Sequence, residues 1–310
     1  MSLLAALKGK GKSGFGYGST AEEVTEGIDL SGRTYLITGC NSGIGKETMR
    51  VLARRGAHII AAARSEEKAA TAAEEIGAEV TAIGCDLSAP KAVAAAAKTV
   101  RDRGTPVHGI IANAGIMALP QREVKHGLEL HFLTNHLGHF ILVTELLDQL
   151  ADDGRVVVVS SDMHWAAPRG GVQLGNLDSS KGYSPWRAYG QSKLANLLFV
   201  RQLAKTLQGT GQTANAVHPG TIRTGLVRHA NPLIGAAMTL GGPLVLKTIP
   251  QGAATQCFVA VHPKVANVSG EYFSDCNLAR SSPRSRDMTL ARRLWDESEK
   301  LRDRLLAEPG

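Results

Sequence analysis

Tyr189 and Lys193 lie four residues apart in Tyr189-Gly190-Gln191-Ser192-Lys193. On a helix that spacing puts a phenol and an ammonium on one face. A free phenol titrates near ~10 and is a poor base at neutral pH; a neighbouring cation stabilises the phenolate and lowers that value. Bringing it to about 7 needs roughly 3 units, or ~4 kcal/mol, within reach of two nearby cations in a water-poor cleft. Ser160-Ser161 follows the run Val156-Val157-Val158-Val159. Ser161, just past that run, is placed to hydrogen-bond a substrate oxygen while Tyr189 moves the proton.

Such a group needs a rigid scaffold. Tyr35-Leu36-Ile37 reads as a short strand, followed by a glycine cluster and a helical stretch from Lys46 to Arg55. Strands follow at 57–63, 79–84, 107–112, 155–160 and 214–217, and the spacing predicts helices over 90–103, 125–150 and 186–207. Val156–Val159 is the clearest fully buried strand. Strands alternating with helices imply right-handed crossovers: an α/β fold with one doubly wound parallel sheet of about seven strands and helices on both faces. No polar linker interrupts the alternation from Arg33 onward. Residues 1–32 read as an N-terminal extension and 33–310 as one domain.

Two glycine clusters compete for a nucleotide. Gly9-Lys10-Gly11-Lys12-Ser13-Gly14 fits G-x-G-x-x-G, but no strand precedes it and Phe15-Gly16-Tyr17-Gly18 breaks any following helix. It reads as a basic tail, flexible or folded against the body. Thr38-Gly39-Cys40-Asn41-Ser42-Gly43-Ile44-Gly45 lies between a strand and a helix. There Gly39 permits the turn, Gly43 the approach of a pyrophosphate and Gly45 close helix packing, with the helix N-terminus facing the phosphates. Asn41, Ser42 and Ile44 belong to the same cradle.

Arg64 ends the second strand, where NAD-binding chains carry a carboxylate. Arg64 and Lys46 suit the 2′-phosphate of NADP(H), favouring it over NAD(H). Asp86 and Leu87, after the third strand, would reach the adenine, and Asn113-Ala114-Gly115, after the fourth, would line the cofactor cleft. The oxidised nicotinamide is then the second cation acting on Tyr189.

Composition narrows the class. The chain has 310 residues, 43% hydrophobic and 20% charged, with a net charge of +7. Its basic residues are scattered without interleaved aromatics, which excludes a nucleic-acid partner. Cys40, Cys85, Cys257 and Cys276 lack metal or disulfide spacing and suit the reducing cytoplasm. No apolar run approaches a membrane span, so no integral membrane segment is expected.

The Thr-Gly-x-x-x-Gly-x-Gly loop, Asn113-Ala114-Gly115, Ser161, Tyr189, Lys193 and His218-Pro219-Gly220 resemble the short-chain dehydrogenase/reductase family, over roughly residues 33–275. The resemblance implies a Rossmann-type fold, Tyr189 as acid/base and Ser161 as anchor of the substrate oxygen. It also implies that Lys193 binds the nicotinamide ribose and tunes Tyr189, and that Asn135 supports a water relay to Lys193. Tyr189, Lys193, Pro219, Gly220 and Thr221 then join the cofactor site. Ala112 replaces the first of the two asparagines the family often places before Ala-Gly. Gly45-Lys46-Glu47-Thr48, Asn135-His136-Leu137-Gly138-His139-Phe140, Ser192-Lys193-Leu194-Ala195-Asn196 and Gly270-Glu271-Tyr272-Phe273 look like its retinol-dehydrogenase-like branch. The family also implies a homo-oligomer, dimer or tetramer, built through the helices near 125–150 and 186–207.

Two apolar segments flank the expected cleft: Trp165, Leu174, Leu177, Tyr183 and Trp186 in one, and Leu226, Ile234, Met238, Leu240 and Leu244 in the other. They suggest a lid over a small lipophilic alcohol, aldehyde or ketone. His164 reads as a loop histidine without a catalytic task. The resulting expectation is an NADP(H)-dependent oxidoreductase; a non-catalytic NADP(H)-binding redox sensor or scaffold is the alternative, against which Ser161, Tyr189, Lys193 and Asn135 argue. An epimerase of the extended family would space its glycines Gly-x-x-Gly-x-x-Gly.

Overall fold

The computed structural model describes residues 8–78, 80–222 and 246–308. In chain order its main elements are α1 (Ala21–Val24), β1 (Thr34–Thr38), α2 (Gly43–Arg54), β2 (His58–Ala63), α3 (Glu66–Ile76), β3 (Val80–Gly84) and α4 (Pro90–Arg101). Next come β4 (Val107–Ala112), β5 (Val124–Lys125), β6 (Leu128–Glu129), a π-turn over Phe132–Leu137, α5 (Gly138–Thr144), β7 (Leu150–Val159) and α6 (Pro185–Thr206). β8 (Thr213–His218), α7 (Ile249–Val261), β9 (Tyr272–Ser274), β10 (Asn277–Leu278) and α8 (Met288–Ala307) complete the described chain.

The central sheet has eight strands in the order β10-β9-β8-β7-β4-β1-β2-β3. Seven run parallel and only β10 pairs antiparallel, with β9. The expectation of a parallel sheet of about seven strands holds, and β10 adds a two-residue antiparallel strand at its edge. β1 lies between β2 and β4, so both loops leaving its neighbours open at the same carboxyl edge.

Every residue of β1 is buried. Leu36 joins one core with Phe132, Phe140 and Phe199, and Tyr35 and Ile37 join the opposite one with Met49, Leu52 and Phe258. Two buried faces explain why these strands read as unbroken apolar runs.

The helix expected over 125–150 is broken up. It begins as a hairpin whose His126 and Gly127 both have positive φ, 53° and 73°; that geometry suits a two-residue turn. The π-turn and α5 follow.

The helices expected to contact another copy are covered within the chain. Residues 188–200 of α6 are all buried, and α8 lies on this region through Trp295, whose ring is 5.8 Å from Phe199 and 5.1 Å from Phe140. The sequence reading did not include α8, which covers the middle of α6 within the chain.

Gly9–Gly14 is docked rather than extended. Asn277 accepts from the Ser13 amide (3.0 Å) and donates to the Phe15 carbonyl (3.0 Å), and Phe15 packs on Phe258 and His262 at 5.7 and 5.6 Å. A side chain at Gly11 would strike Asn277 at 2.5 Å. This glycine pattern serves packing far from β1.

Candidate active site

The glycine turn after β1 fits a dinucleotide cradle on steric grounds. Gly39 has φ +68°, and a Cβ there would stand 2.9 Å from Ala114 Cα. At Gly45 a Cβ would stand 2.2 Å from the Gly39 carbonyl and 2.5 Å from Asn113 Nδ2. Only hydrogen fits at either position. Asn41 and Ser42 are exposed above them, and Ser42 begins α2 without a side-chain cap, leaving the first amides of the helix to an anion. Gly43 and Ile44 open that helix.

Asn113 ties the turn to β4: its Nδ2 donates to the Thr38 carbonyl (2.8 Å), while its Oδ1 is buried with no partner among the described residues. Such an orphan acceptor suits a site that receives a ligand donor. Arg64 is exposed just past β2 and makes no ion pair among the described residues. Lys46, expected beside it, is paired with Glu75; such a surface pair is worth ~0–1 kcal/mol and can be given up to a phosphate. Asp86 Oδ1 accepts from the Ser88 amide and hydroxyl, and Leu87 is buried against Gly138, where a Cβ would meet the Leu87 carbonyl at 2.4 Å. Pro219, Gly220 and Thr221 follow β8, and Lys247 donates its amide to the Thr221 carbonyl at 2.9 Å. Leu226, Ile234, Met238, Leu240 and Leu244 lie outside the described residues.

The tyrosine group forms at the same edge. Tyr189 and Lys193 are both buried on α6, with Lys193 Nζ 5.7 Å from the Tyr189 ring centre. Lys193 Nζ donates to the Val159 carbonyl at the end of β7 (2.9 Å). The neighbouring Ser161 side chain favours the phenolate. Burial outweighs it: the phenol is pushed up to about 12, and the Lys193 ammonium down to about 8. From the protein's own groups, then, Tyr189 moves opposite to the lowering expected from spacing alone; desolvation, invisible in the sequence, is the largest cause.

Asn135 enters through the π-turn. Its Oδ1 accepts from the Ile116 amide (2.8 Å), and its Nδ2 donates to the Ile116 carbonyl (3.0 Å) and to Ser192 Oγ (2.9 Å). A methyl at Gly115 would stand 3.1 Å from Asn135 Oδ1 and 3.5 Å from Lys193 Nζ. Both groups thus line the space over Gly115, joining Asn113-Ala114-Gly115 to Tyr189 and Lys193.

Three buried histidines support the group, and sequence reasoning gave none of them a task. His164 accepts at Nε2 from the Ser282 amide (3.0 Å), so its proton sits on Nδ1 and is donated to the Ser161 carbonyl (2.7 Å). His131 accepts at Nε2 from the Leu119 amide (3.2 Å), donates from Nδ1 to buried Glu129 (2.6 Å), and sets its ring edge-on to Tyr189 at 6.1 Å. His139 bonds the Asn135 carbonyl (3.0 Å) and Thr38 Oγ1 (2.8 Å). The available signal was the four-residue spacing of Asn135 and His139, one helical turn.

Of the first apolar segment, Leu177 is core and Leu174 packs against it, while Tyr183 donates to the Leu119 carbonyl (2.6 Å). Trp165 and Trp186 remain 46% and 44% exposed.

A hydrogen-only glycine turn, an uncapped helix N-terminus and a buried tyrosine–lysine–serine group at one sheet edge describe a nicotinamide-dependent oxidoreductase acting on alcohol or carbonyl groups. Residues 33–235 match the short chain dehydrogenase family; the chain belongs to that family, in its retinol-dehydrogenase-like branch. It is 42% identical to short-chain dehydrogenase TIC 32 B, chloroplastic, of Brassica napus over 98% of this chain and 100% of that protein. It is 43% identical to human retinol dehydrogenase 12 over 87% of this chain and 86% of that one. Among solved structures it is similar to an uncharacterized Mycobacterium paratuberculosis protein (TM-score 0.75, 33% identity, 92% of this chain and 98% of that). Another is a blue fluorescent protein from a metagenomic library in complex with NADPH (TM-score 0.63, 26% identity, 79% and 97%). Among the described residues no helix is long and apolar enough to cross a membrane.

Proposed function

We propose that the protein is an NADP(H)-dependent reductase and dehydrogenase of small lipophilic aldehydes, ketones and alcohols. The observation that carries this reading is the buried Tyr189 phenol with Lys193 beside it on α6, Lys193 being tied to the end of β7 next to Ser161, at the sheet edge that holds the glycine turn. NADPH, when bound, supplies hydride from nicotinamide C4 to the carbonyl carbon. Ser161 Oγ hydrogen-bonds the substrate oxygen and Tyr189 gives that oxygen its proton, so that carbonyl and NADPH become alcohol and NADP⁺. Lys193 holds the nicotinamide ribose and steadies the phenolate left behind, and Asn135 supports its reprotonation. A phenol pushed up to about 12 is protonated throughout the physiological range, which suits the donor role.

Arg64, exposed past β2 and unpaired among the described residues, supports NADP(H) over NAD(H), with Lys46 released from Glu75 as its second cation. Gly39, Asn41, Ser42, Gly43, Ile44 and Gly45 cradle the pyrophosphate, Asp86 and Leu87 face the adenine, and Asn113 to Gly115 with Pro219 to Thr221 flank the nicotinamide. The exposed Trp165 and Trp186 supply an apolar rim for the substrate. Four free, buried cysteines with thiols pushed up to about 12 suit a reducing compartment such as the cytoplasm. A homo-oligomer, where one forms, uses a face other than α5 and the middle of α6.

The test is loss of NADPH absorbance at 340 nm with a panel of lipophilic aldehydes and ketones. Turnover on several of them, abolished by Tyr189→Phe while NADPH binding persists, is the expected result. Tight NADPH binding with no turnover on the whole panel, or an active Tyr189→Phe variant, refutes it.

A further inference from the structure

We propose that His139 is a positioning residue that couples the cofactor cradle to the proton relay through a fixed ring tautomer, an inference that rests on the function proposed above. His139 and Thr38 are each only 1% exposed. Thr38 Oγ1, at the end of β1, accepts from the Asn113 amide (2.9 Å) and the Ala114 amide (3.0 Å). Both lone pairs of the hydroxyl are then taken, so its hydrogen must go to the third neighbour, His139 Nε2, at 2.8 Å. With Nε2 an acceptor, the proton of the neutral ring sits on Nδ1 and is donated to the Asn135 carbonyl at 3.0 Å.

The bonds form one directed chain from the amides after β4, through Thr38 and the ring, to the carbonyl of Asn135. Its members are polarised in the same sense, so each bond strengthens the next. Burial, with the Lys193 charge adding to it, brings the His139 pKa down to about 4. A protonated ring would present two donors and break the bond from Thr38, so neutrality and tautomer are set together.

The location makes the chain more than packing. Asn135 lies in a π-turn, where the Gly138 amide donates five residues back to Leu133 and carbonyls leave the α-helical ladder. His139 therefore adds a side-chain donor to the Asn135 carbonyl within that turn. The other end of the chain is Asn113–Ala114, whose packing on Gly39 shapes the cofactor turn. A shift of that turn reaches Asn135 through two side chains. His164 is locked differently, by the Ser282 backbone amide; only the His139 lock runs through a hydroxyl that belongs to the cofactor cradle.

The experiment compares His139→Asn, which keeps a donor at the Nδ1 position, with His139→Gln, which keeps a group near Nε2 but loses that donor. In the NADPH-saturated enzyme, His139→Gln is expected to lower kcat about ten- to a hundredfold with substrate KM, NADPH Kd and Tm little changed, and His139→Asn to stay within about threefold. Long-range proton–nitrogen NMR of histidine-labelled full-length protein should show the His139 ring as neutral Nδ1–H in wild type. Thr38→Val should leave the ring Nδ1–H, held by the Asn135 carbonyl, and shift the Nε2 resonance because that nitrogen loses its donor. An Nε2–H ring in wild type, or equal kcat in the Asn and Gln variants, overturns the proposal. Full activity of Tyr189→Phe overturns the proposed function and leaves the tautomer result standing, so the two failures are distinguishable.

Discussion

Replacing Lys193 by methionine separates what this residue does for catalysis from what it does to stability. The ammonium is 3% exposed, and burial brings it from its ordinary 10.5 to about 8. Holding it charged in the folded protein at pH 7 therefore costs up to about 3 kcal/mol relative to water. The bond to the Val159 carbonyl and the face of Tyr189 favour the charge, which makes that figure an upper bound. Methionine fills a similar volume without charge, and the Val159 carbonyl keeps the Asn196 amide as a donor at 3.2 Å, so no acceptor is orphaned. The variant apoprotein should be more stable than wild type at pH 7 by about 1–3 kcal/mol, while turnover falls at least ~10²-fold. The pH dependence is the signature. Because the folded-state pKa is below the unfolded one, the unfolded chain binds a proton between pH 8 and 10.5 that the folded chain does not. Wild-type stability thus rises relative to the variant across that window, and the difference closes by up to about 3 kcal/mol. Urea denaturation of both apoproteins at pH 7, 9 and 10.5 measures it. A variant less stable at pH 7, or a gap that does not change with pH, refutes the reasoning.

Arg64→Glu should raise the Kd for NADPH at least ~tenfold and improve NADH binding, since the cation proposed to meet the 2′-phosphate is replaced by a carboxylate that repels it; fluorescence titration with both cofactors checks it. Gly45→Ala places a methyl 2.2 Å from the Gly39 carbonyl, so NADPH binding should fall about a hundredfold or more by calorimetry, with the fold retained by circular dichroism. Reductive kcat should decline as pH rises through about 8, where Lys193 loses its charge, with Tyr189 still protonated because its phenol stands near 12; a flat profile to pH 10 contradicts this. Trp295→Ala should destabilise by about 2–4 kcal/mol by emptying the space against Phe140 and Phe199 and should leave those rings free to associate, seen as a higher-mass species in light scattering.

The parts of this molecule that were legible in its sequence share one property: their signal is local. β1 and the Val156–Val159 end of β7 are buried on both faces, and the valine run reads as apolar. The glycine turn is marked by residues that admit no side chain, and Tyr189 and Lys193 by a helical repeat. α8 carried a usable signal too, with Leu290, Ala291, Leu294, Ser298, Leu301 and Leu305 buried at helical spacing. The direction of the Tyr189 shift belongs to another category. Four-residue spacing correctly brings a cation near the phenol, but whether the phenol rises or falls depends on how much water both groups lose, which is set by strands and loops distant in the chain. The role of His139 is still further from the sequence, because the hydroxyl facing its Nε2 is oriented by two amides that reach Thr38 from 75 and 76 residues away. Spacing can therefore name the groups that react, whereas their protonation states follow from the burial and hydrogen-bond directions that only the assembled fold supplies.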